Sequence, residues 1–150
     1  MPSPLPFRPA ALALLLAAVA AAPVRAQTAP DLDDVRAPLE LYLRGQAEGD
    51  GDLMRRAFHP DARIVSLDGG AVASRSAEAF AALFTGGPAP DEADRRRRVV
   101  SLDVTGEVAV AKLELDYPGA FLTDYMTLVR TSDGWRILHK AFTRSPPRAR

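Results

Sequence analysis

From Arg97 to Phe142 the chain alternates apolar and polar residues in four runs separated by three short turns. A four-strand antiparallel meander accommodates that pattern and a helix does not. The turns Thr105-Gly106, Pro118-Gly119-Ala120-Phe121 and Asp133-Gly134 fix the register. One face then collects Val100, Leu102, Ala109, Ala111, Leu113, Leu115, Met126, Leu128, Trp135, Ile137 and Ala141, with two polar residues among them, Asp124 and His139. His139 falls opposite Leu128, so at about 3.4 Å per residue it lies roughly 13 Å along the sheet from Asp124. The two are therefore not a hydrogen-bonded dyad. A carboxyl and an imidazole on the apolar side of a sheet, beneath helices supplied by the first half of the chain, predict a lined pocket.

The opposite face carries Val99, Val108, Val110, Tyr125, Val129, Leu138 and Phe142 among Ser101, Asp103, Lys112, Glu114, Thr127 and Lys140. That is more apolar area than a monomer leaves wet, and a homodimer through this face is the simplest remedy.

Ahead of the meander, Val35, Leu39, Tyr42 and Leu43 recur at helical spacing from Asp33 onward, with Asp33 or Asp34 as cap and Gly49 beyond the end. Pro38 is tolerable there only in a first turn or at a kink. Leu53 to Phe58 reads as one or two helical turns stopped by Pro60, Ala62 to Leu67 as a strand ending at Asp68-Gly69-Gly70, and Ser76 to Phe84 as a second substantial helix. The order predicts an α+β fold whose helices cover one sheet face.

The N-terminus has a lone Arg8, an apolar run from Ala10 to Ala22, and Val24 and Ala26 as small residues before Gln27. This is the pattern of a secretory signal peptide cleaved after Ala26, and the run falls well short of the roughly 20 residues a membrane span needs. The reading is thus a signal peptide over 1–26, a mobile leader over 27–32, one domain over 33–143, a disordered tail over 144–150, and a periplasmic or secreted location without membrane attachment after cleavage. Removing Arg8 and Arg25 leaves 17 basic against 19 acidic residues, a formal charge of −2 that argues against nucleic acid as a partner. With no cysteine, neither a disulfide nor a thiolate metal site can form.

An ordered set of strings carries a resemblance: Leu41-Tyr42-Leu43 followed by Gly49-Asp50, then Ala57-Phe58-His59-Pro60-Asp61-Ala62, Asp116-Tyr117-Pro118-Gly119, Asp124-Tyr125 and Trp135-Arg136-Ile137-Leu138-His139-Lys140. Together they resemble the nuclear transport factor 2-like superfamily, and within it the family named "putative lumazine-binding", over about Asp33 to Phe142. The resemblance implies a conical antiparallel sheet curved around helices, a cystatin-like α+β barrel with a pocket at its open end and frequent dimerisation through the convex face. The superfamily contains ketosteroid isomerase, dehydratases, cyclases and members that only bind, so function must be argued from the site.

Asp124 and His139 are the candidate general bases, if burial shifts their pKa toward the working pH. Alternatively Asp124 satisfies backbone or Tyr42 at the cone mouth and His139 donates to a helix carbonyl. Tyr42, Tyr117 and Trp135 offer flat apolar bodies with polar handles that suit a ligand pocket as well as a core. His59 stands where it could reach the pocket rim, or shape a turn with Asp61. A ketosteroid-type isomerase needs a second proton donor beside Tyr42, which the sequence does not supply. Two distant histidines give no metal site, and no flavin or pterin motif calls for a cofactor. Arg95 to Arg98 follows Asp91, Glu92 and Asp94, and reads as a solvated start of a strand with local ion pairs. These residues point to an exported, non-catalytic domain that binds a small aromatic or apolar molecule. The alternative is an isomerase, dehydratase or hydrolase using Asp124 or His139 in the same pocket.

Overall fold

The computed structural model describes residues 29–149, so the expected signal peptide and the first two leader residues lie outside the described residues. Helix α1 (Ala29–Glu48) begins ahead of the expected start at Asp33 and carries Pro38 inside it. Its apolar stripe, Val35, Leu39 and Tyr42, is fully buried. Gly49 ends it at φ 65, and a Cβ there would meet the Gly87 carbonyl oxygen at 2.1 Å, so only glycine fits. Asp50 then caps α2 (Gly51–Ala57), its Oδ1 accepting from the Asp52 and Leu53 amides at 2.7 and 3.1 Å.

Strand β1 (Phe58–Asp68) follows directly, beginning before the expected Ala62. It pairs with an unexpected strand, β2 (Ala71–Ser76), across the Gly69-Gly70 turn, where both φ values are positive, 55 and 86. The mostly exposed β2 has no buried alternate face to announce it. The second helix, α3 (Ala77–Ala81), is shorter than the expected span, although Ser76 caps it as anticipated, its Oγ accepting from the Ala79 amide at 3.1 Å. A 3-10 turn at Glu92–Asp94 leads into the meander of β3 (Arg96–Thr105), β4 (Val108–Tyr117), β5 (Ala120–Thr131) and β6 (Gly134–Ser145). Arg144 and Ser145 of the expected tail thus belong to a strand, and the Arg148 guanidinium lies 3.6 Å from the Phe121 ring centroid.

The fold is α+β, a curved, open sheet ordered β2-β1-β6-β5-β4-β3 and covered on its inner face by the helices. The β1–β6 pairing is parallel and the others antiparallel.

Two bulges decide which side chains face inward. On β3, Val99 lies opposite Leu113 and Ser101 opposite Lys112, which leaves Val100 unpaired and 43% exposed while Val99 packs on the core. On β6, Ile137 lies opposite Leu128 but His139 lies opposite Thr127, so Leu138 is the extra residue. One inserted residue exchanges the faces of everything after it. Lys140 and Phe142 therefore turn inward, and His139 and Ala141 turn outward, the reverse of the alternation read from sequence. Deleting Leu138 should remove the bulge and leave every flanking partner on its present face. We expect a folded variant destabilised by about 1–3 kcal/mol through lost packing, measured by urea denaturation; complete unfolding would contradict this account of the bulge.

Candidate functional site

The stripe that buries Val35, Leu39 and Tyr42 continues one turn further to Gln46, and this end of α1 supplies the site with its phenol and amide. Tyr42 donates to Asp124 Oδ2 on β5 at 2.6 Å. Its oxygen accepts from Lys140 Nζ on β6 at 2.6 Å and from Gln46 Nε2 at 3.0 Å. Lys140 Nζ also stands 3.0 Å from Asp124 Oδ2. Tyr42 and Asp124 are wholly buried and Lys140 is 2% exposed. The ammonium is further surrounded by the rings of Tyr42, Phe80 and Phe142, at 4.9, 5.1 and 4.7 Å from their centroids.

Burial pushes the Lys140 ammonium below the ordinary lysine range, with the Asp124 carboxylate opposing that shift. Burial also raises the Tyr42 phenol well above its ordinary value, and the charge of Asp124 raises it further. One acceptor is left over: Asp124 Oδ1 is buried without a hydrogen-bond partner.

A second polar layer follows toward the end of the sheet. Leu115 pairs with Leu122 and with Arg97, one inward-facing rung beyond Asp124, and Tyr117 comes next. The Arg97 side chain is 8% exposed. It donates to the Tyr117 hydroxyl at 2.8 Å, to Glu92 Oε2 at 2.8 Å and more weakly to the Gln46 carbonyl at 3.4 Å. The hydrogen bond from Arg97 holds Glu92 below the usual carboxylate range. Burial raises the Tyr117 phenol, against the opposing charge of Arg97. The expected ion pairs of the arginine run are present, Arg95 with Asp91 and Arg97 with Glu92, but Arg97 is half-buried in the fold instead of solvated.

Tyr42 and Asp124 come together, and Tyr117 stands in the adjoining layer. The remaining candidates lie elsewhere. His139 is on the outer face beside Tyr125, Lys112 and Thr127, because the bulge at Leu138 turned it there. His59 sits at the junction of α2 and β1, its Nδ1 accepting from the Asp61 amide at 3.2 Å. Trp135 is 5% exposed in the core, four rungs of the β5–β6 ladder from Lys140 and so roughly 14 Å along the strand. Among the described residues no group of three or more histidines and carboxylates could hold a metal ion.

Sequence reasoning missed Lys140, Gln46 and the inward Arg97. Gln46 was legible four residues after Tyr42 on the same helix face. Lys140 carried a different signal: it and Lys112 are the only lysines in a chain with 17 arginines.

Residues 30–143 match the sequence profile of the family described as "Putative lumazine-binding". The chain belongs to that family. Solved nuclear transport factor 2-like proteins share its fold. One from Shewanella baltica superposes with a TM-score of 0.72 at 20% identity, covering 81% of this chain and 99% of that one. Another from Silicibacter pomeroyi gives 0.68 at 24% identity, covering 80% and 100%. Both are described as of unknown function. Among curated proteins, this member of the family is 22% identical over 119 residues to the aldolase FrzH of a Cladobotryum species, covering 79% of this chain and 95% of that protein.

Breaking the cluster one member at a time should be costly. Tyr42→Phe is expected to lose about 1–3 kcal/mol and Lys140→Met about 3–5 kcal/mol, whereas Lys140→Met with Asp124→Leu should recover most of that loss by removing both charges. Chemical denaturation of the wild type, these three variants and Asp124→Leu checks this; simple additivity of Lys140→Met and Asp124→Leu would contradict a coupled pair. The pH dependence has a defined sign. Between its lowered folded value and the ordinary lysine value of 10.5 the unfolded chain holds more protons on Lys140 than the folded one, so stability rises with pH in that interval. Tyr42 acts oppositely, since stability it contributes below its ordinary value of 10.0 is lost as pH climbs through its higher folded value. The rise should be absent in Lys140→Met.

Proposed function

We propose that the protein binds a small, mainly aromatic or apolar molecule inside its cone, against the Tyr42–Asp124–Lys140 cluster. The unpartnered Asp124 Oδ1 carries this reading. A buried carboxylate oxygen without a donor costs on the order of 1–3 kcal/mol or more, and a ligand donor would offset it. The rings of Tyr42, Phe80 and Phe142 around the ammonium supply flat apolar surface for the rest of such a molecule. Access requires the layer of Gln46, Arg97 and Tyr117 to part, since the cluster itself is sealed from solvent.

Two further elements belong to this reading. Export to the periplasm or beyond is supported by the signal-like N-terminus, and among the described residues no helix is long and apolar enough to cross a membrane. A homodimer through the outer sheet face is supported by Val108, Val110 and Tyr125, which are 49%, 52% and 54% exposed there.

Acid–base catalysis in the same place is the second reading. It is favoured by the union of a carboxylate, an amine and a phenol within hydrogen-bond reach, and by the likeness to a protein described as an aldolase. In that reading Asp124 is the base and Tyr42 the proton donor.

Native mass spectrometry of the protein purified from the periplasm of its own host tests the proposal. We expect a dimer beginning at Gln27 that retains a small molecule, and loss of that molecule in Asp124→Asn. A bare protein contradicts the binding reading, a monomer contradicts the interface, and an intact N-terminus contradicts export.

A further inference from the structure

We propose that Lys140 is a reactive amine that condenses with the carbonyl group of a small aldehyde or ketone and holds it as an imine inside the cone. The proposal rests on the reading that the cone interior admits a small molecule, and it names the class of that molecule.

With 17 arginines and only Lys112 and Lys140 as lysines, the chain meets nearly every need for a cation with a guanidinium. An arginine would pair with Asp124 in the planar, bidentate manner that suits buried carboxylates. A lysine stands there instead, and Asp124 and Lys140 are the buried charged residues among those described. The chemical difference is that lysine can release its proton inside a protein and become a nucleophile, which arginine does not do.

Burial at 2% exposure removes the amine from water and disfavours its charged form, the rings' cation–π attraction only partly offsetting this, and that is the circumstance in which lysines form Schiff bases. Asp124 Oδ2 at 3.0 Å can take a proton from the ammonium, and the Tyr42 hydroxyl at 2.6 Å can give one to an oxygen formed beside the nitrogen. These are the base and the acid that imine formation uses, and the hydrogen bond of Tyr42 to Asp124 links them for the proton's return.

The step balances without any added oxidant or reductant. Asp124 takes a proton from the Lys140 ammonium, and the freed lone pair forms a C–N bond to the carbonyl carbon. The C=O π electrons move to oxygen, which takes the Tyr42 proton to give a carbinolamine, and Asp124 reprotonates Tyr42. The nitrogen, still N+H2, gives a second proton to Asp124, which passes it to the hydroxyl; the C–O bond breaks, water departs, and the freed nitrogen lone pair closes C=N. Ammonium and carbonyl compound have become iminium and water.

Reductive trapping tests this on the intact wild-type protein. With benzaldehyde and sodium cyanoborohydride, an imine becomes a stable secondary amine that peptide mapping assigns to Lys140, Lys112 or the N-terminal amine. Lys140 is expected to carry most of the label despite its burial, Lys112→Arg to leave that yield unchanged, and Lys140→Arg to remove it. Label confined to Lys112 and the N-terminal amine overturns the proposal, and this readout holds even where the Lys140→Arg variant does not fold. A protein that retains a non-covalent small molecule in native mass spectrometry yet labels only at those other amines loses the imine and keeps the binding reading. One that does neither loses both.

Discussion

A lysine and an aspartate buried against each other, with a phenol bonded to both, is the constraint on which the rest of this structure depends. Removing two charges from water costs several kcal/mol per ion, and their mutual attraction repays it only when the geometry is good and the remaining donors and acceptors are satisfied. Tyr42 provides much of that satisfaction, since it donates to Asp124 and accepts from Lys140. The partners are 82 and 98 residues from it in sequence, so the cluster joins α1 to two adjacent strands. The apolar stripe of Val35 and Leu39 can slide over an apolar sheet at little cost. The polar pairing cannot, and it fixes where along the sheet the helix sits.

From that point the inside of the cone is layered. The Met126–Lys140 rung and the Asp124–Phe142 rung hold the buried charge and its aromatic surround. Beyond them lies a rung closed by Arg97, whose partners Glu92 and Tyr117 tie the loop before β3 to the end of β4. Charge is thus neutralised twice, once deep and once at the rim, and the deep carboxylate keeps an oxygen without a partner. A core built only for stability would do better with apolar residues of similar volume. The polar groups, the incomplete satisfaction and the choice of lysine over arginine are the observations behind the small-molecule site proposed above.

The meander and its turns were legible because each strand has a buried face and a wet one, and because Gly106 and Gly134 mark two of the turns. The buried side of α1 was legible for the same reason at helical period. Strand β2 was not, since its side chains are mostly exposed and its pairing depends on a hairpin turn whose strength lies in two glycines. The site was half legible. Asp124 and the prospect of its bond to Tyr42 followed from the pattern, but period-2 alternation carries no mark of an inserted residue. Counting through Leu138 therefore placed His139 inside and Lys140 outside, when the bulge does the opposite. The scarcity of lysine was the compositional clue to the correct assignment, because it is independent of register.

With two lysines in the chain, the environment of each can be followed separately. The most direct measurement is an NMR titration of protein labelled with 13C at the lysine Cε, the signals assigned through Lys112→Arg. The Lys140 signal is expected to titrate below the ordinary lysine value, and its curve to shift in Tyr42→Phe. A Lys140 curve at the ordinary lysine value would contradict this, because it would place the amine of residue 140 in water and leave no charged cluster inside the cone.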